Sequence, residues 1–503
     1  MQFFHQYAKQ LHNLVSEVSI EPLQESQVAY FNDSLADELA LPKSMYDEKQ
    51  LLDALFSSTQ PQLSKNNQSS LASSLNHKVI AQKYGGHQFG HWNPDLGDGR
   101  GVLLAEHKAP NGQYWDLHLK GAGTTPYSRA GDGRAVLRST IREFLASEAM
   151  HALGIPTSRA LCLITSQHPV QREQLEPGAM LIRVAQSHIR FGHFEYFYHS
   201  GEQEKLQALF DFTFEHHFPH LQNLPNSKDK YFELLKQIVV DTATMIAKWQ
   251  AQGFNHGVMN TDNMSIHGIT FDYGPYAFLD DFQSDYICNH SDYNGRYAFD
   301  QQPGIGLWNL NALAHAFSNH LDIEAIRDAL QEYEPKLHQE YRALLAQKMG
   351  LVQHSASAKD DAQLVNEWLL QLDKERRDYH ISFRLLTGVE TGASSMAKNQ
   401  AFLDHFIDQS WAKQWLEKYQ ARVASQACSA NDRKAMMLKV NPVYVLRNHL
   451  AQQSIMDAYR GDYTSFKQLL TALRDPFTEK EEFALFASAP PDEHKGIALS
   501  CSS

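Results

Sequence analysis

Cysteine is scarce in this chain: Cys162, Cys288, Cys428 and Cys501 are all it has in 503 residues, and none sits in a CxxC. That excludes a disulfide framework, and it points to a reducing compartment. No apolar run approaches the ~20 residues of a membrane span. The opening stretch, MQFFHQYAKQLHNL, has neither the apolar core of a signal peptide nor the arginine-rich character of a transit peptide, so a cytoplasmic location is the expectation, without a membrane partner. Long basic blocks are missing as well. With 58 acidic against 45 basic residues the net charge is −13, which argues against bulk nucleic-acid binding. There is no Walker A sequence, no G-x-G-x-x-G opening a helix, and no internal repeat. What remains is an apolar content of 43%, enough for a proper core. The length suits two to four domains or one large two-lobed enzyme with additions.

Chemistry-bearing residues concentrate between Asn255 and Phe282, in NHGVMNTDNMSIHGITFDYGPYAFLDDF. Asn260-Thr261-Asp262-Asn263 is turn chemistry. Met264–Ile266, a His267-Gly268 turn and Ile269–Phe271 then predict a β-hairpin that ends at Asp272. Asn263 and Asp272 supply two hard oxygen ligands suited to Mg²⁺, and Asp262 remains to meet a hydroxyl, the trio that kinase-type transfer uses. Clustered Asn, Asp and Gly also serve surface turns for backbone reasons alone, so this unit needs partners elsewhere in the chain.

Several are at hand. YGGHQFGHWNPDLGDGRGVLLAE places glycines at 85, 86, 90, 97, 99 and 101 before an apolar strand, and Tyr114–Lys120 alternates as a second strand leading into Gly121-Ala122-Gly123. Converging backbone N–H groups in such turns can hold an anion, and Arg100 adds charge, although hairpin turns and bulges explain Gly-x-Gly equally well. Lys120, at a strand end, reaches phosphates if an acid holds it. Gly131-Asp132-Gly133-Arg134 forms another glycine turn. After it STIREFLASEAMHALG predicts an amphipathic helix stopped at Gly154-Ile155-Pro156, with its face on Ile141, Phe144, Leu145, Ala149 and Ala152. Glu143 and Glu148 both lie on it. Glu143 fits a capping box with Thr140, Glu148 falls nearer the apolar face, and spacing does not choose between them as the lysine's partner. Arg183 and Arg190 sit among apolar residues, where they must find anions: structural carboxylates or a ligand's phosphates. A core helix is expected over 229–253, and mostly helices from 300 to 480 (307–321, 323–349, 361–372, 402–424 and 444–458), followed by an extended tail from Asp475. Residues 1–75 read as a partly helical extension without chemistry, with a helix near 51–55 and a loop over 57–74.

The order glycine turns, strand lysine, helix glutamate, arginines, then Asp-Asn and Asp is the order of parts in a protein-kinase-like fold. At this point the chain resembles the selenoprotein O (SelO) family of kinase-like protein adenylyltransferases. The resemblance is carried by YGGHQFGHWNPDLGDGRGV, LHLKGAGTTPYSRAGDGRAVLRSTIREFLASEAM, RVAQSHIRFGHFEYF, HGVMNTDNMSIHGITFDYGPYAFLD and NPVYVLRNHLAQ, and it spans most of the chain. It implies an α+β, kinase-like bilobal fold: an N-terminal extension over 1–75, a β-rich N-lobe over 76–187, a helical C-lobe over 188–345, and a C-terminal helical region with a cysteine-containing tail over 346–503. It also implies ATP held inverted, so that AMP passes to a Ser, Thr or Tyr hydroxyl of a protein, with self-modification as one route, and pyrophosphate leaves.

On matching positions the resemblance makes Asp262 the general base and Asn263 and Asp272 the ligands of Mg²⁺ (or Mn²⁺). Lys120 contacts phosphates, paired with Glu143 rather than Glu148. Gly97, Gly99, Arg100, Asp132, Gly133, Arg183, Arg190 and Asp272 line the nucleotide. Selenium-containing members carry selenocysteine near the C-terminus where this chain has Cys501, so a disulfide between Cys501 and Cys288 that gates activity is one expectation, and two unrelated reduced thiols the other. Two rival functions stay open at this stage: an ordinary kinase using the same metal site, and a non-catalytic ATP-binding, redox-sensing scaffold.

Overall fold

The computed structural model describes residues 3–57, 70–75, 78–352, 357–391, 396–497 and 499. Its centre is a mixed α/β body built on one antiparallel sheet. The strands are β1 (Val15–Glu17), β2 (Gln27–Phe31), β3 (Ile80–Gln88), β4 (His91–Gly97), β5 (Gly101–Lys108), β6 (Tyr114–Lys120), β7 (Ala135–Val136), β8 (Arg159–Gln171) and β9 (Leu175–Ala185). They run in the order β1-β3-β5-β6-β9-β8-β2, with β4 added to β3 and β7 to β9. The two strands expected around Val102–Ala105 and Tyr114–Lys120 are β5 and β6, paired from Gly101 opposite Lys120 to Lys108 opposite Tyr114.

Alternation along these strands divides the core. Leu103, Leu163 and Leu181 face one side and join Ile141, Phe144 and Leu145 of the Leu137–Ala152 helix. Val102, Leu104, Leu161, Ile182 and Val184 face the other and meet Leu35, Leu51, Ala54 and Leu55 from the N-terminal residues. The first 75 residues are therefore more than an appendage. They supply both ends of the sheet path, β1 and β2, and the helix Glu48–Phe56 covers one face. Of the loop expected over 57–74, residues 58–69 lie outside the described residues, and its end is not a loop, since Ser70–Leu75 is a short helix.

The helical half follows the expected order with shifted ends. The core helix spans Ser227–Ala251, capped by the Asn226 side chain on the Lys228 N–H. The 307–321 element begins earlier, as Gln302–Ala314, because Pro303 suits a first turn. The single helix expected over 323–349 is two, Ile323–Leu330 and Tyr333–Lys348. That over 361–372 extends to Ala358–Glu375. The 402–424 element breaks into Gln400–Asp404 and Gln409–Ala424, the latter capped by Asp408. The last begins at Asn448, not 444, because Tyr444 and its neighbours run as a buried extended segment held by Pro476 O. Beyond Asp475 the tail is not simply extended: it makes short 3₁₀ turns at Glu481–Ala487 and Asp492–His494. Among the described residues no helix is long and apolar enough to cross a membrane.

The expected hairpin at 264–271 does not form. Ser265 bridges to Arg190 and Thr270 to Thr157, so each arm pairs with a distant segment rather than with the other arm. Thr261–Asn263 is a single 3₁₀ turn. Two strands flank the unit instead, β10 (Phe254–Asn255) and β11 (Ala277–Phe278), paired antiparallel.

Candidate active site

Lys120, at the end of β6, is buried, and its ammonium donates to Glu143 Oε2 in a close ion pair. The helix carrying Glu143 starts at Leu137, with Val136 at the N-cap position, so Glu143 lies two turns in and forms no capping box. Thr140 instead bonds the Val136 carbonyl, at 2.8 Å. Glu148 serves another cluster: it accepts from Arg159 Nε at 2.7 Å, Asn32 Nδ2 at 2.9 Å and Arg474 Nη2 at 3.0 Å. The choice between the two glutamates that spacing leaves open falls to Glu143.

Arg183, on β9, faces the same carboxylate, its Nε 2.5 Å from Glu143 Oε1, and extends Nη1 to Asp272 Oδ1 at 2.8 Å. The other Asp272 oxygen is held by Arg190, which also donates to the Asp262 carbonyl at 2.7 Å. Arg190 stacks over Tyr84 and Phe271, its guanidinium 4.8 and 4.7 Å from the ring centroids. A continuous charged chain thus runs Lys120–Glu143–Arg183–Asp272–Arg190 and touches the backbone of Asp262. Burial raises the Glu143 carboxyl, but Arg183 and Lys120 outweigh it and hold the group below its ordinary value. The same contest, won by Arg190 and Arg183, holds Asp272 well down. Burial and the neighbouring cations bring Lys120 down to about 8 although Glu143 opposes them. Asp272 also sits at φ +60, a left-handed backbone costing about 1–2 kcal/mol for a residue with a Cβ. Such local strain persists where surroundings over-determine it, here two arginines.

Asp262 is buried, and its two oxygens differ. Gln88 Nε2 donates to Oδ2 at 3.2 Å, while Oδ1 has no hydrogen-bond partner among the described residues. Burial pushes this carboxyl up to about 7 against the pull of Arg190. Gly86 of β3 passes so close that a Cβ there would lie 2.9 Å from Asp262 Oδ1. Asn263 is fixed through its amide nitrogen, which donates to Val258 O at 3.0 Å.

The two glycine turns lie together at one end of the sheet. Gly97 has φ +146 and packs on Tyr127, and Ser128 Oγ donates to Gly99 O at 2.5 Å. Thr125 Oγ1 donates to Asp98 O at 2.7 Å, Gly121 N to Arg100 O at 2.6 Å, and Gly123 N to Gly133 O at 3.1 Å. Arg100 is exposed, and its charged neighbours include Arg183, Asp272 and Glu143. Asp132 stands somewhat apart: its carboxylate is tied to Arg172 at 2.8 and 3.0 Å. Tyr84 and Gln88 lie in the YGGHQFG block but nothing singles them out there, and Arg172 carries no motif; contacts between distant segments bring them to the site.

Cys288 is buried beside Asn255 and Pro275, with Sγ 3.1 Å from Asn255 Oδ1. The chain end returns to the same place, because Asn289 bridges to Leu499 and His290 N donates to Leu499 O at 2.7 Å. Cys501 itself lies outside the described residues.

The family model "Protein adenylyltransferase SelO" matches residues 1–474. The chain belongs to the SelO family. Among its curated relatives, a protein nucleotidyltransferase YdiU from Pseudoalteromonas atlantica is 54% identical over 503 residues, the full length of both chains. A YdiU from Enterobacter is 48% identical over 96% of this chain and 95% of its own. One from Vibrio vulnificus is 47% identical over 100% and 99% respectively. The SelO chain described here is accordingly a nucleotidyltransferase, and neither the kinase nor the scaffold alternative is favoured.

Proposed function

We propose that this enzyme transfers AMP from ATP to Ser, Thr or Tyr hydroxyls of cytoplasmic proteins, its own included, in a cleft of a kinase-like bilobal fold with the boundaries given above. The observation that carries the reading is the largely buried chain Lys120–Glu143–Arg183–Asp272–Arg190 ending at an Asp262 with one oxygen unpartnered among the described residues. Adenylyl transfer, like phosphoryl transfer, asks a protein mainly to position the reactants and neutralise charge.

In this mechanism Lys120, Arg183 and Arg190 meet the phosphates, with Arg100 and the glycine turns at Gly97, Gly99, Asp132 and Gly133 around the nucleotide. Asp262 Oδ1 takes the proton of the acceptor hydroxyl. The new bond joins the acceptor's hydroxyl oxygen to the α-phosphorus, the bond from the α-phosphorus to the bridging oxygen of the β-phosphate breaks, and pyrophosphate leaves. The amide oxygen of Asn263 and the carboxylate of Asp272 are hard oxygen donors of the kind Mg²⁺ or Mn²⁺ takes. Asp272 is kept ionised by its arginines, as a ligand must be. These two residues would hold the ion, which when bound supplies further neutralisation of the phosphates.

The return of Leu499 to Asn289 supports the Cys288–Cys501 pair as a redox element, since it brings the tail to within two residues of the second cysteine. Labelled nucleotide tests the central reading. Label from the α-phosphate should appear on protein and label from the γ-phosphate should not. The reverse pattern would make the enzyme a kinase and overturn the inverted nucleotide.

A further inference from the structure

Beside the catalytic turn lies a second cluster that adenylyl transfer does not use. Glu195 and His199 stand four residues apart on the Phe191–His199 helix and so share one face. His87, on β3, meets them from the sheet. One donor atom from each residue lies within 4.8 Å of the other two. His87 Nδ1 is 2.5 Å from Glu195 Oε2. Glu195 is 1% exposed, and its other oxygen, Oε1, has no hydrogen-bond partner among the described residues. A fully buried carboxylate left half satisfied is costly, and a cation is what such a group lacks. His199 is exposed and leaves the cluster open on one side. Aromatic rings flank it: Trp92 packs on His199 with centroids 4.5 Å apart, and Trp308 stands edge-on to His87 at 5.2 Å.

We infer that His87, Glu195 and His199 form a binding site for a divalent transition-metal ion, Zn²⁺ in the first instance, separate from the Asn263 and Asp272 pair. Two imidazoles and one carboxylate with an open position are a donor set that Zn²⁺ accepts, whereas Mg²⁺ prefers oxygen alone. The ion would clamp the sheet to the helix. These two elements already approach closely, for a Cβ on Gly192 would lie 2.1 Å from Gly85 O. The clamp also reaches the catalytic turn, because the His87 backbone N–H donates to Thr261 Oγ1 at 2.7 Å, one residue before Asp262.

The test uses the full-length chain, stripped with a chelator and exposed to Zn²⁺ in excess Mg²⁺, with bound metal counted after gel filtration and Co²⁺ substituted for its visible absorption. About one Zn²⁺ per chain should be retained, and the Co²⁺ form should show the ligand-field bands of a nitrogen–oxygen site. His199→Ala, at an exposed position, should weaken Zn²⁺ binding by about 100-fold or more while melting as a folded protein. Glu195→Gln should do the same, and Asn263→Ala should leave Zn²⁺ retention unchanged. Failure of the wild-type chain to retain Zn²⁺, undiminished binding by His199→Ala, or loss of Zn²⁺ in Asn263→Ala would each overturn the inference. The readout is metal content, so failure of the transfer reaction would leave it standing.

Discussion

Arg183 joins Asp272 to the rest of the site: its Nη1 is 2.8 Å from Asp272 Oδ1, and its other face holds Glu143. One guanidinium thereby connects the residue that anchors Lys120 with the carboxylate proposed to hold the metal ion. Lys120, Glu143 and Arg183 are buried and Asp272 is half-buried, so they are coupled in stability as well as in chemistry.

Glu143→Gln is the first consequence. It leaves Lys120 and Arg183 buried with Asp272 as the remaining carboxylate in the chain of ion pairs. Removing one partner of a buried pair costs about 3–5 kcal/mol, so the denaturation midpoint should fall clearly. ATP binding should weaken with it. Glu148→Gln, which breaks the separate Arg159 and Arg474 cluster, should also destabilise but leave the ATP dissociation constant nearly unchanged. Equal loss of ATP affinity in both variants would contradict the assignment of Glu143.

Asp262 gives a pH dependence with a definite sign. In the folded chain its carboxyl titrates near pH 7, against an ordinary value of 3.8. Below both values each state is protonated and there is no penalty. As pH rises between them the unfolded state releases its proton while the folded state keeps it, so folding is progressively disfavoured. Above about 7 the penalty is constant. In the nucleotide-free enzyme, Asp262→Asn should therefore gain stability over wild type across that window, by at most about 1.4 kcal/mol per pH unit, and the gain should level off above it. The transfer rate of the wild type should rise as pH passes through about 7, where the base becomes free. A flat stability difference in chemical melts from pH 4 to 8 would show that Asp262 is not held protonated.

Gly86→Ala tests the positioning of Asp262, the proposed base. The added methyl would meet Asp262 Cβ and Oδ1, both at 2.9 Å, and its backbone N at 3.0 Å. Displacement of the carboxylate by a fraction of an ångström should lower kcat by about 100-fold. The ATP dissociation constant should change little, since the cations lie elsewhere. Calorimetric ATP binding with turnover measured in parallel separates the two, and a loss confined to binding would be the wrong result.

The residues also explain what could be read in advance. Lys120, Asp262, Asn263 and Asp272 stand out as candidates in the sequence because their chemistry is unusual in their surroundings and because long blocks around them resemble one family. Glu143 and Glu148 were not separable by spacing: both are buried on one helix, and only tertiary partners, Lys120 in one case and Arg159 in the other, tell them apart. The misplaced hairpin has a similar cause. Ser265 and Thr270 sit in β-favouring stretches, but the residues they bridge to are Arg190 and Thr157, far away in the chain, which periodicity within a short window does not reveal. Nor did the first 75 residues announce that they edge the sheet, for Val15–Glu17 and Gln27–Phe31 are too short to show a pattern. That Gln88 meets Asp262, and that His87 meets Glu195 and His199, depends on contacts between segments far apart in the chain, which the motif blocks holding most of these residues do not reveal.

The most direct measurement is the intact mass of the purified, reduced protein after incubation with Mg²⁺ and ATP, beside Asp262→Ala treated identically. The account predicts a gain of roughly 329 Da per modified site in the wild type and none in the variant, which should still bind ATP. A gain of about 80 Da would mean phosphoryl transfer and contradict it. So would AMP addition that persists in Asp262→Ala.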